Sequence, residues 1–166
     1  YMIYKSIFDT LLFFSKISPI IYISIPIINY LYSHNKNHVA FFKGFIISEF
    51  LNKILKYVFK MPRPKNASNC SIIDKFFYFN LKSYGMPSGH SQSSWYSSIY
   101  FSLLIYFDNN YNKFTKFASI FALIISSIFI SYSRIYNSCH TFFQVLYGGI
   151  LGSIIGMLTY YNKNTI

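Results

Sequence analysis

Long apolar runs almost free of charge constrain this chain most, because about 20 apolar residues is the length of a helix that crosses a bilayer. Residues 17–33, ISPIIYISIPIINYLYS, carry no charge and two prolines, which a membrane helix tolerates better than a soluble one. Residues 39–59 are apolar but include Lys43, Glu49, Asn52, Lys53 and Lys56. Residues 92–107, QSSWYSSIYFSLLIYF, open on hydroxyls, and residues 117–132 and 142–161 are uncharged. Ahead of them, Ile3, Ile7, Leu11 and Phe14 recur at helical spacing with Lys5 and Asp9 off the stripe, the pattern of an interfacial helix over residues 1–16. The expected fold is all-α: a multi-pass membrane helix bundle of about five spans, forming a single domain over residues 1–166. Gly148, Gly152 and Gly156 lie four residues apart in the last span, a small-residue stripe read as helix packing.

Charge narrows the partners. Only 11% of residues are charged, against roughly a quarter in soluble domains. Fifteen Lys and Arg face four Asp and Glu, for a formal net charge of +11. That excess calls for an anionic partner, and in so apolar a chain lipid headgroups or phosphate fit better than nucleic acid. The expected surroundings are the lipid bilayer, with no nucleic-acid partner.

The polar residues gather when the spans are threaded in order. Lys56 and Arg63 flank the end of the second span, where Pro62 and Pro64 stop the helix. Ser88, Gly89 and His90 begin the third span, and Arg134 and His140 lie between the fourth and fifth. Counting crossings brings all three clusters to one membrane face. Lys56, Arg63 and Arg134 supply fixed positive charge, the arginines with forked donors suited to phosphate oxygens. The Ser88-Gly89 turn at a helix start can add backbone N–H groups to the same anion. Two histidines beside a bound phosphoryl group suit a division of labour in which one attacks phosphorus and the other protonates the departing oxygen. Asp74 and Asp108 are isolated and Glu49 lies within a span, so no acidic cluster is at hand for Mg²⁺ and the expectation is chemistry without a metal or other cofactor.

At these residues the chain resembles a known superfamily. KYVFKMPRP matches KxxxxxxRP, MPSGH matches PSGH, and SRIYNSCHTFFQ matches SRxxxxxHxxxD except at its last position. These are the three signatures of the type 2 phosphatidic acid phosphatases, which include lipid phosphatases and vanadium haloperoxidases. Within the superfamily GMPSGHSQSSW and SYSRIYNSCHTFFQVLYGGILG resemble the dolichyldiphosphatase family, and the likeness runs from about the first span to the last. The resemblance implies hydrolysis of dolichyl (polyprenyl) diphosphate to the monophosphate, recycling a lipid carrier for protein N-glycosylation. It makes His140 the nucleophile that becomes phosphohistidine and His90 the acid for the leaving group. Lys56, Arg63, Ser88, Gly89 and Arg134 become the phosphate-binding set. Gln144 stands where most of the superfamily has the aspartate that orients the nucleophile, and dolichyldiphosphatases resemble this HTxxQVLYGG form. A lipid monophosphate is a better leaving group than an alkoxide, so less activation of the histidine is required. The other readings are a broader-specificity lipid phosphate phosphatase, a non-catalytic lipid-phosphate-binding relative, and a haloperoxidase, which five spans disfavour.

Orientation draws opposing signals. The opposite face carries only Lys36, Lys113, Lys116 and Lys163, so the positive-inside rule puts the site in the cytosol. The resemblance implies an endoplasmic reticulum membrane with a lumenal site, and two acceptor triplets, Asn66-Ala67-Ser68 and Asn69-Cys70-Ser71, lie on the same face. The lumenal expectation is preferred. Cys70 and Cys139, both on the site face, are expected as free thiols.

Overall fold

The computed structural model describes residues 2–67, 70 and 84–165. Ser68, Asn69 and Ser71 of the acceptor triplets, and Asp74, lie outside them. The described residues form helices joined by turns and irregular connections: α1 (Met2–Ser33), α2 (Lys36–Phe59), α3 (Gly89–Phe107), α4 (Lys113–Tyr136) and α5 (Phe142–Tyr161).

The surface helix and first span expected as separate pieces are one helix, α1, without a break at residue 16. No glycine interrupts Ser15-Lys16-Ile17-Ser18, and the proline that follows is accommodated locally. Pro19 lacks the N–H that would reach the carbonyl of Ser15, and the Ser18 hydroxyl donates to that carbonyl instead, at 2.9 Å.

By length and composition, Phe8–Ser33, α4 and α5 are long and apolar enough to cross a membrane. Helices α2 and α3 are more polar than the expectation of about five spans implied, and packing explains α3. It is the central helix, touching all four others. Its serines are buried against protein: Ser91 donates to the Val145 carbonyl of α5 at 2.8 Å, and Ser98 to the Leu123 carbonyl of α4 at 2.8 Å. Tyr96 and Tyr100 reach the other way, donating at 2.6 Å each to the Phe41 and Asn37 carbonyls of α2. With Phe41, Phe45, Ile155 and Tyr160 they make the apolar core.

The glycine stripe of α5 lies on the backbone of α3. A Cβ at Gly148 would come 2.5 Å from the Ser88 carbonyl oxygen, one at Gly152 would overlap that of Gln92, and one at Gly156 would stand 2.6 Å from that of Tyr96. Both rows advance four residues at a time, so one ridge of each helix runs along the other, as the packing reading of this stripe expects.

Helix ends set the site. The αL conformation of Lys60 (φ 49°), whose N–H bonds the Lys56 carbonyl, ends α2 just before Met61-Pro62-Arg63-Pro64. The Gly85 N–H donates to the Met61 carbonyl at 2.7 Å and draws the two ends of the long connection together. At the start of α5, Thr141 and Gln144 form a reciprocal capping box.

Candidate active site

Four chain ends converge here: the exit of α2, the entry of α3, the exit of α4 and the entry of α5. His140 directly precedes the Thr141 cap of α5 and is 4% exposed. Its Nδ1 lies 2.8 Å from the Gly85 carbonyl oxygen and 3.3 Å from Gln144 Oε1, both acceptors. Nδ1 therefore carries the hydrogen, and Nε2 is the nitrogen with an available lone pair.

Gln144 is held on every side. Its Oε1 accepts from the Thr141 N–H at 3.1 Å as well as from His140, its Nε2 donates to the Pro62 carbonyl at 2.9 Å, and its own carbonyl accepts from the Ser88 N–H at 2.9 Å. One residue thereby joins the α2 exit, the α3 entry and His140. It also supplies a physical reason for glutamine at this position: a carboxylate would point an oxygen, not a donor, at the Pro62 carbonyl.

Lys56, Arg63 and Arg134 come together around both histidines. Burial, then the positive potential of Arg63, Lys56 and Arg134, lowers the His140 pKa from 6.5 to about 3, with the Gln144 hydrogen bond opposing. His90, in the first turn of α3 ahead of the apolar stretch, is lowered too, first by burial and then by Arg134, with smaller effects of Lys56 and Arg63. Its Nε2 donates to the Lys16 carbonyl of α1 at 3.2 Å, so Nδ1 is the nitrogen left for chemistry.

Arg134 is 1% exposed, and its Nη2 donates to the Cys70 carbonyl. Ser88 is the N-cap of α3 yet makes no side-chain cap bond, and its buried Oγ has no hydrogen-bond partner among the described residues. A buried hydroxyl without a partner among the described residues, at a helix N-terminus two residues before His90, is suited to an anion. Gly89 is different from what close approach alone demands: a Cβ there would meet nothing nearer than Asn52 Oδ1 at 3.6 Å.

Three features were missed by reasoning from sequence. The first is the Gly85 carbonyl, and the second is the buried pair Asn52–Gln92. Asn52 Nδ2 donates to Gln92 Oε1 at 2.7 Å, and Gln92 Nε2 donates to the Ser48 carbonyl at 2.7 Å, fastening α2 to α3 one turn from Lys56. The third overturns an expectation. Cys70 and Cys139 are joined in a disulfide, not free thiols, because the arm after Pro64 brings the two Cα atoms to 5.5 Å. The capping box Thr141-x-x-Gln144 was visible in the sequence as a helix start, and it was not used.

The pattern of the PAP2 superfamily matches residues 37–166. Dolichyldiphosphatase 1 of Homo sapiens is 29% identical over 154 residues, covering 89% of this chain and 61% of that protein. Dolichyldiphosphatase of Saccharomyces cerevisiae is 34% identical over 125 residues, covering 74% and 49%. The chain thus spans less than two thirds of the length of these relatives. In fold it is similar to the crystal structure of a transmembrane PAP2 type phosphatidylglycerolphosphate phosphatase from Bacillus subtilis, with a TM-score of 0.66 and 19% identity, covering 97% of this chain and 71% of that one. Site geometry, sequence pattern and helical architecture lead to one assignment: the chain belongs to the PAP2 superfamily.

Proposed function

We propose that this protein hydrolyses a polyprenyl diphosphate, dolichyl diphosphate, to the monophosphate and inorganic phosphate through a phosphohistidine at His140. The observation that carries this reading is the His140 imidazole: neutral, with Nδ1 held by Gly85 and Gln144 and Nε2 available, in a cluster of three cations. His140 Nε2 attacks the terminal phosphorus, forming a P–N bond. The bond from phosphorus to the bridging oxygen breaks, and its electron pair leaves with the lipid monophosphate. His90 Nδ1 gives that oxygen its proton, and then takes one from the water that cleaves the P–N bond to release phosphate and restore His140.

A depressed His90 pKa looks unsuited to an acid until the substrate's charge is considered. Burial lowers it most and Arg134, Lys56 and Arg63 lower it further; an incoming diphosphate neutralises those cations, so anion binding raises His90 from its resting value. Lys56, Arg63, Arg134, Ser88 and the Gly89 N–H hold the phosphoryl oxygens, and the charge a metal would supply comes from side chains. The Cys70–Cys139 bridge supports a site facing an oxidising compartment, the endoplasmic reticulum lumen, where dolichyl carriers of N-glycosylation are recycled.

The test is phosphate release by protein in detergent, with a chelator present, from dolichyl diphosphate, dolichyl phosphate and phosphatidic acid. Preference for the diphosphate is expected. A second reading, broader lipid phosphate hydrolysis, draws on the 27% identity over 140 residues with lipid phosphate phosphatase gamma of Arabidopsis thaliana, and preference for phosphatidic acid would establish it instead.

A further inference from the structure

We propose that the Cys70–Cys139 disulfide is a positioning bond for the anion cradle, acting through Arg134, so that phosphate affinity depends on the redox state of the bridge. The inference rests on the reading of this site as a phosphate cradle. Arg134 is gripped at both of its ends by the two halves of the bridge. Its backbone carbonyl accepts from the Cys139 N–H at 2.9 Å and from the His140 N–H at 3.2 Å. At the far end of the side chain, Nη2 donates to the Cys70 carbonyl. The Sγ–Sγ bond closes the circuit between residues 69 apart in sequence. The ring formed by Arg134, Cys139, the disulfide and Cys70 therefore fixes the main chain that carries His140 and the direction of the guanidinium together.

Without the bridge, the covalent link between Cys70 and the chain next to Arg134 is gone, and Cys70 belongs to a long connection rather than to a helix. Loop-closure entropy then works against holding that carbonyl beneath a buried guanidinium. Arg134 keeps its charge but loses its fixed aim, and a fork that wanders binds a phosphoryl group less well than one held in place. Cys70 and Cys139 are positioning residues, since neither sulfur takes part in the phosphoryl transfer.

The experiment measures product inhibition by inorganic phosphate, together with KM and kcat, on the Cys70→Ser/Cys139→Ser protein and on wild type before and after dithiothreitol. In the reductant arm dithiothreitol is oxidised to its cyclic disulfide as the two cysteines become thiols, and after its removal oxidised glutathione, itself reduced to two thiols, restores the bridge. About a tenfold loss of phosphate affinity with a matching rise in KM is expected, reversible in the dithiothreitol arm. That arm also serves if the double variant does not fold. A positioning role differs from a general staple in one further respect: in an Arg134→Ala background, removing the bridge leaves phosphate affinity unchanged. Additive losses in that background, or unchanged phosphate affinity on reduction of the wild type, overturn the proposal. Because inorganic phosphate is the probe, a redox-dependent affinity in a protein that ignores dolichyl diphosphate would refute the substrate assignment and leave this inference standing.

Discussion

Gly85→Ala tests the contact that holds Gln144 behind the nucleophile. A Cβ on residue 85 would lie 2.6 Å from Gln144 Nε2, 2.7 Å from Oε1 and 2.8 Å from Cδ. Gly85 does not have a positive φ, so the backbone accepts alanine and the whole effect falls on the Gln144 amide. Ordinary van der Waals contact requires a retreat of about 0.8 Å. The amide cannot move that far and keep its bonds to the Pro62 carbonyl at 2.9 Å and the Thr141 N–H at 3.1 Å. Breaking two such bonds inside the protein costs about 2–4 kcal/mol, the lower part of the about 2–6 kcal/mol that two buried groups left without partners cost. If that loss falls on the geometry of His140 during attack, kcat drops roughly 30- to 1000-fold. Melting should also fall, by about 2–4 °C per kcal/mol for a chain of this length. Phosphate release and thermal melting in detergent measure both, with Gly89→Ala as the stability comparison, since its Cβ meets nothing nearer than 3.6 Å and its melting temperature should be that of wild type. A Gly85→Ala protein with wild-type kcat would refute the argument that Gln144 holds the nucleophile.

Gln144→Glu keeps the length of the side chain but sets a carboxylate oxygen where Nε2 donates at 2.9 Å to the Pro62 carbonyl, so it should lower both melting temperature and kcat; a faster enzyme would mean that charge on the imidazole outweighs the lost donor. Ser88→Ala removes a buried hydroxyl with no partner among the described residues, so stability should hold or rise while inhibition by inorganic phosphate weakens, and a loss of stability with unchanged inhibition would contradict the cradle role. Gly152→Ala drives a methyl into the Gln92 carbonyl and should cost about 1–3 kcal/mol in unfolding experiments, with no cost if α3 and α5 can part freely. The His140 pKa is lowered to about 3 from 6.5, so the folded state stays neutral where the unfolded state is protonated; stability is full above pH 6.5 and is lost as pH falls toward 3, by up to about 1.4 kcal/mol per pH unit for this group. Melting curves between pH 7.5 and 5 should show that slope and should be flatter in His140→Asn.

What sequence could disclose here depended on which atom does the work. Lys56, Arg63, His90, Arg134 and His140 act through distinctive side chains at motif spacing, and counting helices sufficed to put them on one face. Gly85 and Lys16 act through carbonyl oxygens, which every residue possesses, so nothing in their letters marks them. The Cys70–Cys139 bridge depends on where an irregular arm comes to rest, which no local periodicity encodes. The first sixteen residues were read as a separate surface helix because Lys5 and Asp9 flank an apolar stripe, a change of pattern that does not require a break in the backbone, and the Ser18 hydroxyl satisfies the carbonyl that Pro19 leaves open. Helix α3 was taken for a span on its apolar second half, while its serine-rich first half marks it as the centre of the bundle.

The burial of those serines bears on how the protein is made. Two of the carbonyls that Ser91 and Ser98 satisfy, at Val145 and Leu123, belong to helices α5 and α4, which emerge from the ribosome after α3. Until they arrive, the hydroxyls of Ser91 and Ser98 lack those acceptors, while Ser93, Ser94 and Ser97 already donate to carbonyls of α3 itself. Its residence in the bilayer is therefore conditional on later helices, and a nascent chain stopped near residue 112 would leave α3 in the care of the insertion machinery or return it to water. Helix α5, through the glycine ridge that seats it on α3, is the element whose arrival completes integration.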